Sequence, residues 1–158
     1  MNTPNLLDAI RVVKENERIA TETYANAAKR IPATRTLFEQ LSEFEKFHYE
    51  RLTALEKSLE EKGGFIDYEG KQFVLPPKLE VKFAEVPDQQ SIMQVISEAI
   101  NIERVAQKAY ADLATQLTDP RGHKMFITLS DEEHNHFFIL LDAYWSLNET
   151  GVWKGPNQ

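Results

Sequence analysis

The sequence FEKFHYERL at residues 44–52 places Glu45 and His48 three residues apart within a helical pattern. Three residues turn an α-helix by about 300°, so the carboxylate and the imidazole are expected on one face. Leu52 and Leu55 belong to the same face, which is therefore expected to be buried. Because a buried carboxylate without a charged partner is unfavourable by several kcal/mol, this face indicates a bound cation such as a metal ion.

The same acidic and imidazole residues recur in the second half of the chain. NERIATETY at 16–24 resembles IERVAQKAY at 102–110, and FEQLSEFEKFHYERL at 38–52 resembles FITLSDEEHNHFFIL at 126–140. Each half therefore contributes one Glu from its first helix and one Glu-x-x-His from its second. The candidate metal ligands defined by this repeat are Glu17, Glu45, His48, Glu103, Glu133 and His136.

The chemistry of this ligand set indicates a site for two metal ions. Four carboxylates carry four negative charges, which balance two divalent cations inside a bundle of low dielectric constant. Carboxylates can bridge two metals, each imidazole can bind one, and oxygen and nitrogen ligands without thiolate suit iron or manganese, with zinc as an alternative. One Glu-x-x-His on an acidic helix usually lies at the surface by chance, but two matching copies favour the dinuclear carboxylate site of ferritin-like proteins.

Further repeated residues lie near the ligands. Tyr24 and Tyr110 fall two turns after the first Glu of each half, where they are expected to hydrogen-bond a ligand carboxylate or to act as redox-active phenols. The alternative is an ordinary tyrosine of an amphipathic core. Ala20 and Ala106, three residues after the same Glu, would leave room for a small substrate, although alanine is also simply a good helix former.

Other polar residues are assigned weaker roles or none. Ser42 and Ser130 precede the glutamates of the second and fourth helices by three residues, where they either hydrogen-bond a ligand or permit close helix packing. The remaining residues are expected on solvated or interface faces, without a role at the site: Arg18, Arg104, His123, His134, Glu15, Glu22, Glu43, Asp131 and Glu132.

Helical periodicity predicts four long helices, at about 4–31, 34–62, 89–118 and 120–149. Short turns join the first pair and the second pair, and a long crossover at 63–88, rich in proline and β-forming residues, connects the pairs. These features predict an all-α, ferritin-like four-helix bundle with one long crossover, formed as a single domain over residues 1–158.

Capping residues set the predicted helix ends. Thr3 and Thr34 are expected to cap the first two helices, and Asp88 or Ser91 the third. Pro120 suits the first turn of the fourth helix. Glycines at 63–64 and 151 are expected to end the second and fourth helices.

Composition excludes several classes of function. The 158 residues contain no cysteine, which excludes thiolate metal sites and cysteine nucleophiles within them. The net charge of −7 and the lack of a basic stripe make nucleic acid an unexpected partner. No apolar run approaches the roughly 18–20 residues of a membrane span, and the N-terminus does not read as a signal peptide, so a cytoplasmic protein is expected.

The chain resembles the rubrerythrin branch of the ferritin-like superfamily over nearly its whole length. The resemblance rests on ERIATETY, EKFH, ERVAQKAY and EEHNH. It implies that the six candidate residues bind two iron ions, and that the centre reduces peroxide or oxidises ferrous iron. Full-length rubrerythrins also carry a rubredoxin-type iron domain with four cysteine ligands, so here a separate electron-donor protein is expected.

Two other departures from the family pattern concern activity. Rubrerythrins have a further Glu three residues from the ligand on the third helix, whereas the positions at that spacing here are Ile100 and Ala106. This puts an efficient peroxidase cycle in doubt. Cage-forming ferritins have a fifth helix, for which the seven residues after Gly151 are too few, so iron storage in a shell is disfavoured.

The sequence therefore predicts a dimetal, diiron-type carboxylate oxidoreductase that reacts with peroxide or dioxygen. One alternative is a ferroxidase or iron-binding protein without sustained turnover. An alternative of another class is a non-catalytic helical bundle that binds partners through its acidic faces. A homodimer is expected, because residues 65–87 and the aromatic residues Trp145 and Trp153 offer contact surface.

Overall fold

The fold is defined by a computed structural model, which describes residues 2–73, 79–80 and 86–155. Four long helices dominate the chain, with one short 3₁₀ turn and two very short strands. In chain order the elements are α1 (Thr3–Arg30), the 3₁₀ turn (Pro32–Thr34), α2 (Arg35–Lys62), β1 (Leu79–Glu80), α3 (Val86–Thr115), α4 (Pro120–Thr150) and β2 (Val152–Trp153).

The helices form two antiparallel hairpins that associate into one bundle. Helix α1 packs mainly on α2, and α3 packs mainly on α4. The tight turns within each hairpin hold these pairs together, and the crossover, residues 63–85, connects α2 to α3. The prediction of an all-α four-helix bundle with one long crossover is confirmed.

The observed helix starts differ from the predicted caps. Asn2, not Thr3, caps α1, and its side-chain oxygen accepts a hydrogen bond from the Asn5 backbone N–H at 3.0 Å. Thr34 occupies the N-cap position of α2 as predicted, but its hydroxyl donates to the Ile31 carbonyl at 2.8 Å and does not cap the helix. Neighbouring polar residues compete for the same free N–H groups, so the sequence leaves the start uncertain by a residue or two.

Helix α3 begins at Val86, so Asp88 and Ser91 lie inside the helix and neither is its cap. The start of α4 follows the prediction more closely. Asp119 accepts hydrogen bonds from the Arg121 and Gly122 backbone N–H groups, and Pro120 occupies the first turn. Gly63 and Gly151 end α2 and α4 with φ values of 70° and 72°, a left-handed conformation that glycine adopts without strain.

The two short strands fix the C-terminal residues against the crossover. Strands β1 and β2 pair antiparallel, with Leu79 opposite Trp153. Trp153 is 1% exposed, and its indole N–H donates to the Asp142 carboxylate at 2.8 Å. The prediction that Trp153 offers contact surface is therefore wrong, whereas Trp145 is 55% exposed as expected.

Two apolar clusters fill the bundle, one on each side of a polar layer. One cluster includes Phe38, Ile96 and Leu140 from the end near the first turn of α2, and the other includes Ile10 and Leu52 from the opposite end. The candidate ligands occupy the intervening turns of all four helices. Burial of the two apolar clusters holds the four helices together, and this packing positions the charged side chains of the middle layer. No helix in the described part of the chain is long and apolar enough to cross a membrane.

Candidate metal centre

The structure brings all six predicted ligands together in the middle layer of the bundle. Each is 3% exposed or less, so water reaches none of them freely. Every helix contributes: α1 and α3 supply one carboxylate each, and α2 and α4 supply a carboxylate and an imidazole each. The six residues are Glu17, Glu45, His48, Glu103, Glu133 and His136.

The ligand atoms form two groups of four that could each hold a metal ion. The atoms within each group lie within 4.8 Å of one another. The first group consists of Glu17, Glu45, His48 and Glu133, and the second of Glu45, Glu103, Glu133 and His136. Glu45 and Glu133 belong to both groups, so these two carboxylates lie where they could bridge neighbouring cations.

The two imidazoles present the same nitrogen to the carboxylates. In His48, Nδ1 lies 2.8 Å from Glu133 Oε1 and 3.2 Å from Glu45 Oε2. In His136, Nδ1 lies 3.7 Å from both Glu45 Oε1 and Glu103 Oε2. Each histidine therefore places one ring nitrogen among the carboxylates, as a metal ligand would.

The hydrogen bonding of the cluster leaves donors and acceptors unused. One oxygen each of Glu17, Glu45 and Glu103 is buried without a hydrogen-bond partner, and so are both ring nitrogens of His136. Buried polar atoms in proteins are almost always paired, and orphaned ones indicate a missing partner. A cation among the carboxylates would satisfy these oxygens, so the donor set fits a metal.

Without a cation, the cluster must hold protons instead. Burial raises the pKa of Glu17 and Glu133 well above the carboxyl range, and the charge of neighbouring carboxylates raises it further. Burial, with the Glu45 charge, also raises the pKa of Glu103. Burial acts in the same direction on Glu45, but close contacts with Glu17 and the two imidazoles outweigh it and hold the Glu45 pKa well below its usual range.

The imidazoles are correspondingly basic. Burial lowers the pKa of both rings, but close contact with the negatively charged carboxylates around them outweighs it. The pKa of His136 rises to about 9, and that of His48 lies well above its usual value. Protons on these groups occupy the positions that a metal would need.

The two tyrosines bind ligand carboxylates across the bundle in a reciprocal pattern. The Tyr24 hydroxyl on α1 donates to Glu103 on α3 at 3.0 Å, and the Tyr110 hydroxyl on α3 donates to Glu17 on α1. Both phenols are buried, and burial raises the pKa of each well above its usual value, so they stay neutral donors. Tyr24 therefore orients Glu103, and Tyr110 orients Glu17. These are the two carboxylates that each belong to only one of the four-ligand groups.

A cavity of about 230 Å³ opens between α1 and α3 and reaches the shared carboxylates Glu45 and Glu133. Ala20 and Ala106 line it, as expected from their small side chains. Its rim includes Ile19, which is 48% exposed, so the approach to the carboxylates is largely apolar.

The two serines serve helix packing and do not contact the ligands. The Ser42 hydroxyl donates to the Thr21 carbonyl at 2.8 Å, which ties α2 to α1. The Ser130 hydroxyl donates to the Gln107 carbonyl at 3.1 Å, which ties α4 to α3 in the same way. Of the two alternatives that the sequence leaves open, close helix contact is the observed one.

The expectation that Glu132 lies on a solvated face is wrong. Its side chain is only 11% exposed, and its Oε2 lies 3.4 Å from His48 Nε2. The equivalent residue of the first repeat is the apolar Phe44, a sign that this helical position is not fully solvated. Glu15, Glu22, Glu43, Asp131 and His134 are exposed, as expected.

Fold and site together define an all-α four-helix bundle with a buried Glu/His cluster that could hold metal. Comparison of the chain with models of protein families, with characterised proteins and with solved structures finds no match.

The basicity of the cluster predicts that the metal-free protein loses stability as pH rises. A group whose pKa is higher in the folded state than in the unfolded state stabilises the fold fully at pH values below its unfolded pKa. This stabilisation is lost as the pH rises through the folded-state pKa. For His136 this window runs from 6.5 to about 9, which corresponds to roughly 3 kcal/mol. The raised glutamate pKa values act in the same direction, from 4.5 upward.

The lowered pKa of Glu45 has the opposite effect on the pH dependence of stability. Its contribution is lost only as pH falls well below 4.5, which is outside this window. Thermal melts in the presence of a chelator, between about pH 5 and pH 9, should therefore show a falling melting temperature. A melting temperature that rises throughout this range would contradict the assignment of protons to the cluster.

Proposed function

We propose that the protein is a dimetal carboxylate oxidoreductase that holds two iron ions and reacts with peroxide or dioxygen. The observation that carries the proposal is the sharing of Glu45 and Glu133 between two four-ligand groups. Two independent sites would each have their own ligands, whereas shared carboxylates would hold two ions close enough to act together in a two-electron reaction.

Charge supports two ions over one. The four buried carboxylates carry up to four negative charges, and the structure pairs them with two imidazoles but with no lysine or arginine among the described residues. Two divalent cations neutralise the four carboxylates and leave both imidazoles neutral, as ligands must be. A single divalent cation would leave two charges uncompensated in a dry layer.

The cavity between α1 and α3 supports a reaction over a structural role. A structural metal site is closed, whereas a catalytic site keeps a position open to substrate. Here Ala20 and Ala106 leave a path to the shared carboxylates that is wide enough for a small molecule. Reduction of one peroxide to two waters takes two electrons and two protons, and two ferrous ions would supply the electrons.

The roles of the chain's own residues follow from their contacts. Glu17 and Glu103 each belong to one group, and Tyr110 and Tyr24 hold them in orientation through hydrogen bonds. The apolar rim at Ile19 limits access of bulk water. The sequence motifs shared with rubrerythrins favour the same chemistry, with re-reduction by a separate electron-donor protein.

One observation favours a second candidate, a ferroxidase without sustained turnover. Ala106 lines the cavity at a spacing where the rubrerythrin pattern has a further glutamate. Without that carboxylate, the cavity offers no additional group to carry protons toward a bound peroxide. A cytoplasmic location and a homodimer stay predictions; the exposed Phe138 and Trp145 on α4 are surface for such a contact.

The test is oxidation of anaerobically iron-loaded protein, followed by near-ultraviolet absorption of ferric iron. We expect peroxide to oxidise the iron within the protein, and to do so faster than dioxygen. The Glu133→Gln variant is the matched control, because iron free in solution oxidises at a rate independent of the site. Iron that stays ferrous in peroxide, or that oxidises equally fast with this variant, would exclude the oxidoreductase and leave a binding role.

A further inference from the structure

The two histidines of the centre differ in what their outer ring nitrogen contacts. His48 Nε2 lies 3.4 Å from Glu132 Oε2, whereas His136 Nε2 is buried and has no hydrogen-bond partner. A carboxylate only accepts hydrogen bonds, so the His48–Glu132 contact requires the proton on Nε2. This tautomer leaves the Nδ1 lone pair of a neutral His48 directed at the ligand carboxylates.

The difference follows from the sequence repeat. Phe44 occupies in α2 the place that Glu132 occupies in α4, one residue before the shared glutamate. The Phe44 ring lies edge-on to His136, with centroids 4.4 Å apart, and Phe73 of the crossover approaches the same imidazole at 5.3 Å. Phe44 also lies edge-on to His48, at 5.6 Å, so the carboxylate contact at Nε2 is what distinguishes His48 from His136.

The crossover holds Glu132 in place. The Tyr68 hydroxyl donates to Glu132 Oε1 at 2.6 Å, and the Lys71 backbone N–H donates to Oε2 at 3.2 Å. Gly70 lies between them at a φ of 80°, and a Cβ at this position would lie 3.2 Å from Glu132 Oε1. A larger residue at position 70 would therefore be strained by the left-handed backbone and would displace Glu132 slightly.

These contacts have a consequence for metal affinity. A carboxylate that accepts the outer N–H of a ligand histidine fixes the ring orientation and the tautomer, and it makes the other nitrogen a stronger donor. His48 has this support and His136 does not. Without a carboxylate at its outer nitrogen, the inner nitrogen of His136 is the weaker donor, which reduces metal affinity.

We propose that the two halves of the centre bind metal unequally, and that the half containing Glu17 and His48 is the tighter and fills first. Glu132 is the positioning residue for His48, and Tyr68 of the crossover positions Glu132. The half containing Glu103 and His136 binds its ion more weakly and releases it first. The inference rests on the two-ion centre proposed above.

The test is titration of the metal-free protein with Co²⁺ alone under anaerobic conditions, followed by visible absorption with a competing chelator. We expect two steps whose dissociation constants differ by about tenfold or more. The His136→Ala variant should keep the tight step, and the His48→Ala variant should keep only the weak one. Circular dichroism of each variant checks that the bundle is folded.

Variants outside the ligand set separate positioning from folding. Glu132→Ala should weaken the tight step by about 10- to 100-fold and leave the weak step nearly unchanged. Glu132→Gln should restore part of this loss, because its amide oxygen can still accept the His48 N–H. Tyr68→Phe should weaken the tight step by less, and Phe73→Leu, a change beside His136, should leave the tight step unchanged.

Two ions bound with equal affinity, or equal effects of Glu132→Ala on both steps, would overturn the inference while leaving the two-ion centre intact. The same holds if Glu132→Ala and Phe73→Leu weaken the tight step equally. Failure to bind any Co²⁺ in a folded protein would instead remove both the inference and the proposed function.

Discussion

Replacing Glu133 by glutamine should abolish metal binding, because Glu133 belongs to both four-ligand groups. The amide keeps the shape of the carboxylate and removes its charge, so the helix is preserved while two sites lose a ligand. Metal analysis after anaerobic iron loading should fall from about two ions per chain to a small fraction of one.

Two matched variants test whether the loss of metal depends on where the replaced carboxylate lies or only on the number of acidic residues. Glu17→Gln removes a ligand from one group only and should leave about one ion bound. Glu43→Gln, two residues from Glu45 on an exposed part of α2, should leave the full content. Equal metal loss in Glu133→Gln and Glu43→Gln would show that the iron binds the acidic surface.

Removing the metal should lower the melting temperature by roughly 10 °C. A ligand at a thousandfold excess over its dissociation constant stabilises the folded state by about 4 kcal/mol. For a domain of this size, each kcal/mol changes the melting temperature by about 2–4 °C. Thermal melts of iron-loaded and chelator-treated protein give the comparison.

The Glu133→Gln variant serves as the control for this effect. Its melting temperature should not respond to iron, and without metal it should melt at or above the metal-free wild type, because one of the crowded carboxylates is gone. Coincident melts of metal-free and iron-loaded wild type would contradict a metal bound among these ligands.

The site was predictable from sequence because it repeats on regular helices. A helix converts spacing directly into a shared face, so Glu45 and His48 had to be neighbours, and the second copy at Glu133 and His136 identified the partner face. The same rule places Tyr24 and Tyr110 on the ligand face, but only the structure shows that each hydroxyl reaches the glutamate of the opposite helix. Bundle topology followed from two tight turns and one long connection.

The surroundings of the histidines were not predictable in this way. Tyr68 and Lys71 lie in the crossover, where no periodicity relates sequence position to a place in the fold. Glu132 is about 100° from Glu133 around α4, so the helical pattern alone predicts that its side chain is exposed to solvent. The crossover covers that side of α4, and only the structure shows it.

The buried Trp153 has a similar cause. Its environment depends on pairing with Leu79 across a two-residue ladder, a contact between residues far apart in the chain. Strands of this length carry no alternating pattern that a sequence could reveal. The exposed Trp145, by contrast, lies on a regular helix whose outer face the periodicity of α4 indicates.

The most direct test of the two-ion centre is anomalous diffraction at the iron edge from crystals of the anaerobically iron-loaded protein. We predict two anomalous peaks about 3.5–4 Å apart. One should lie beside Nδ1 of His48 and the other beside Nδ1 of His136, with Glu45 and Glu133 between them. A bundle with no peak in the polar layer, or with iron only at surface carboxylates, would contradict the account.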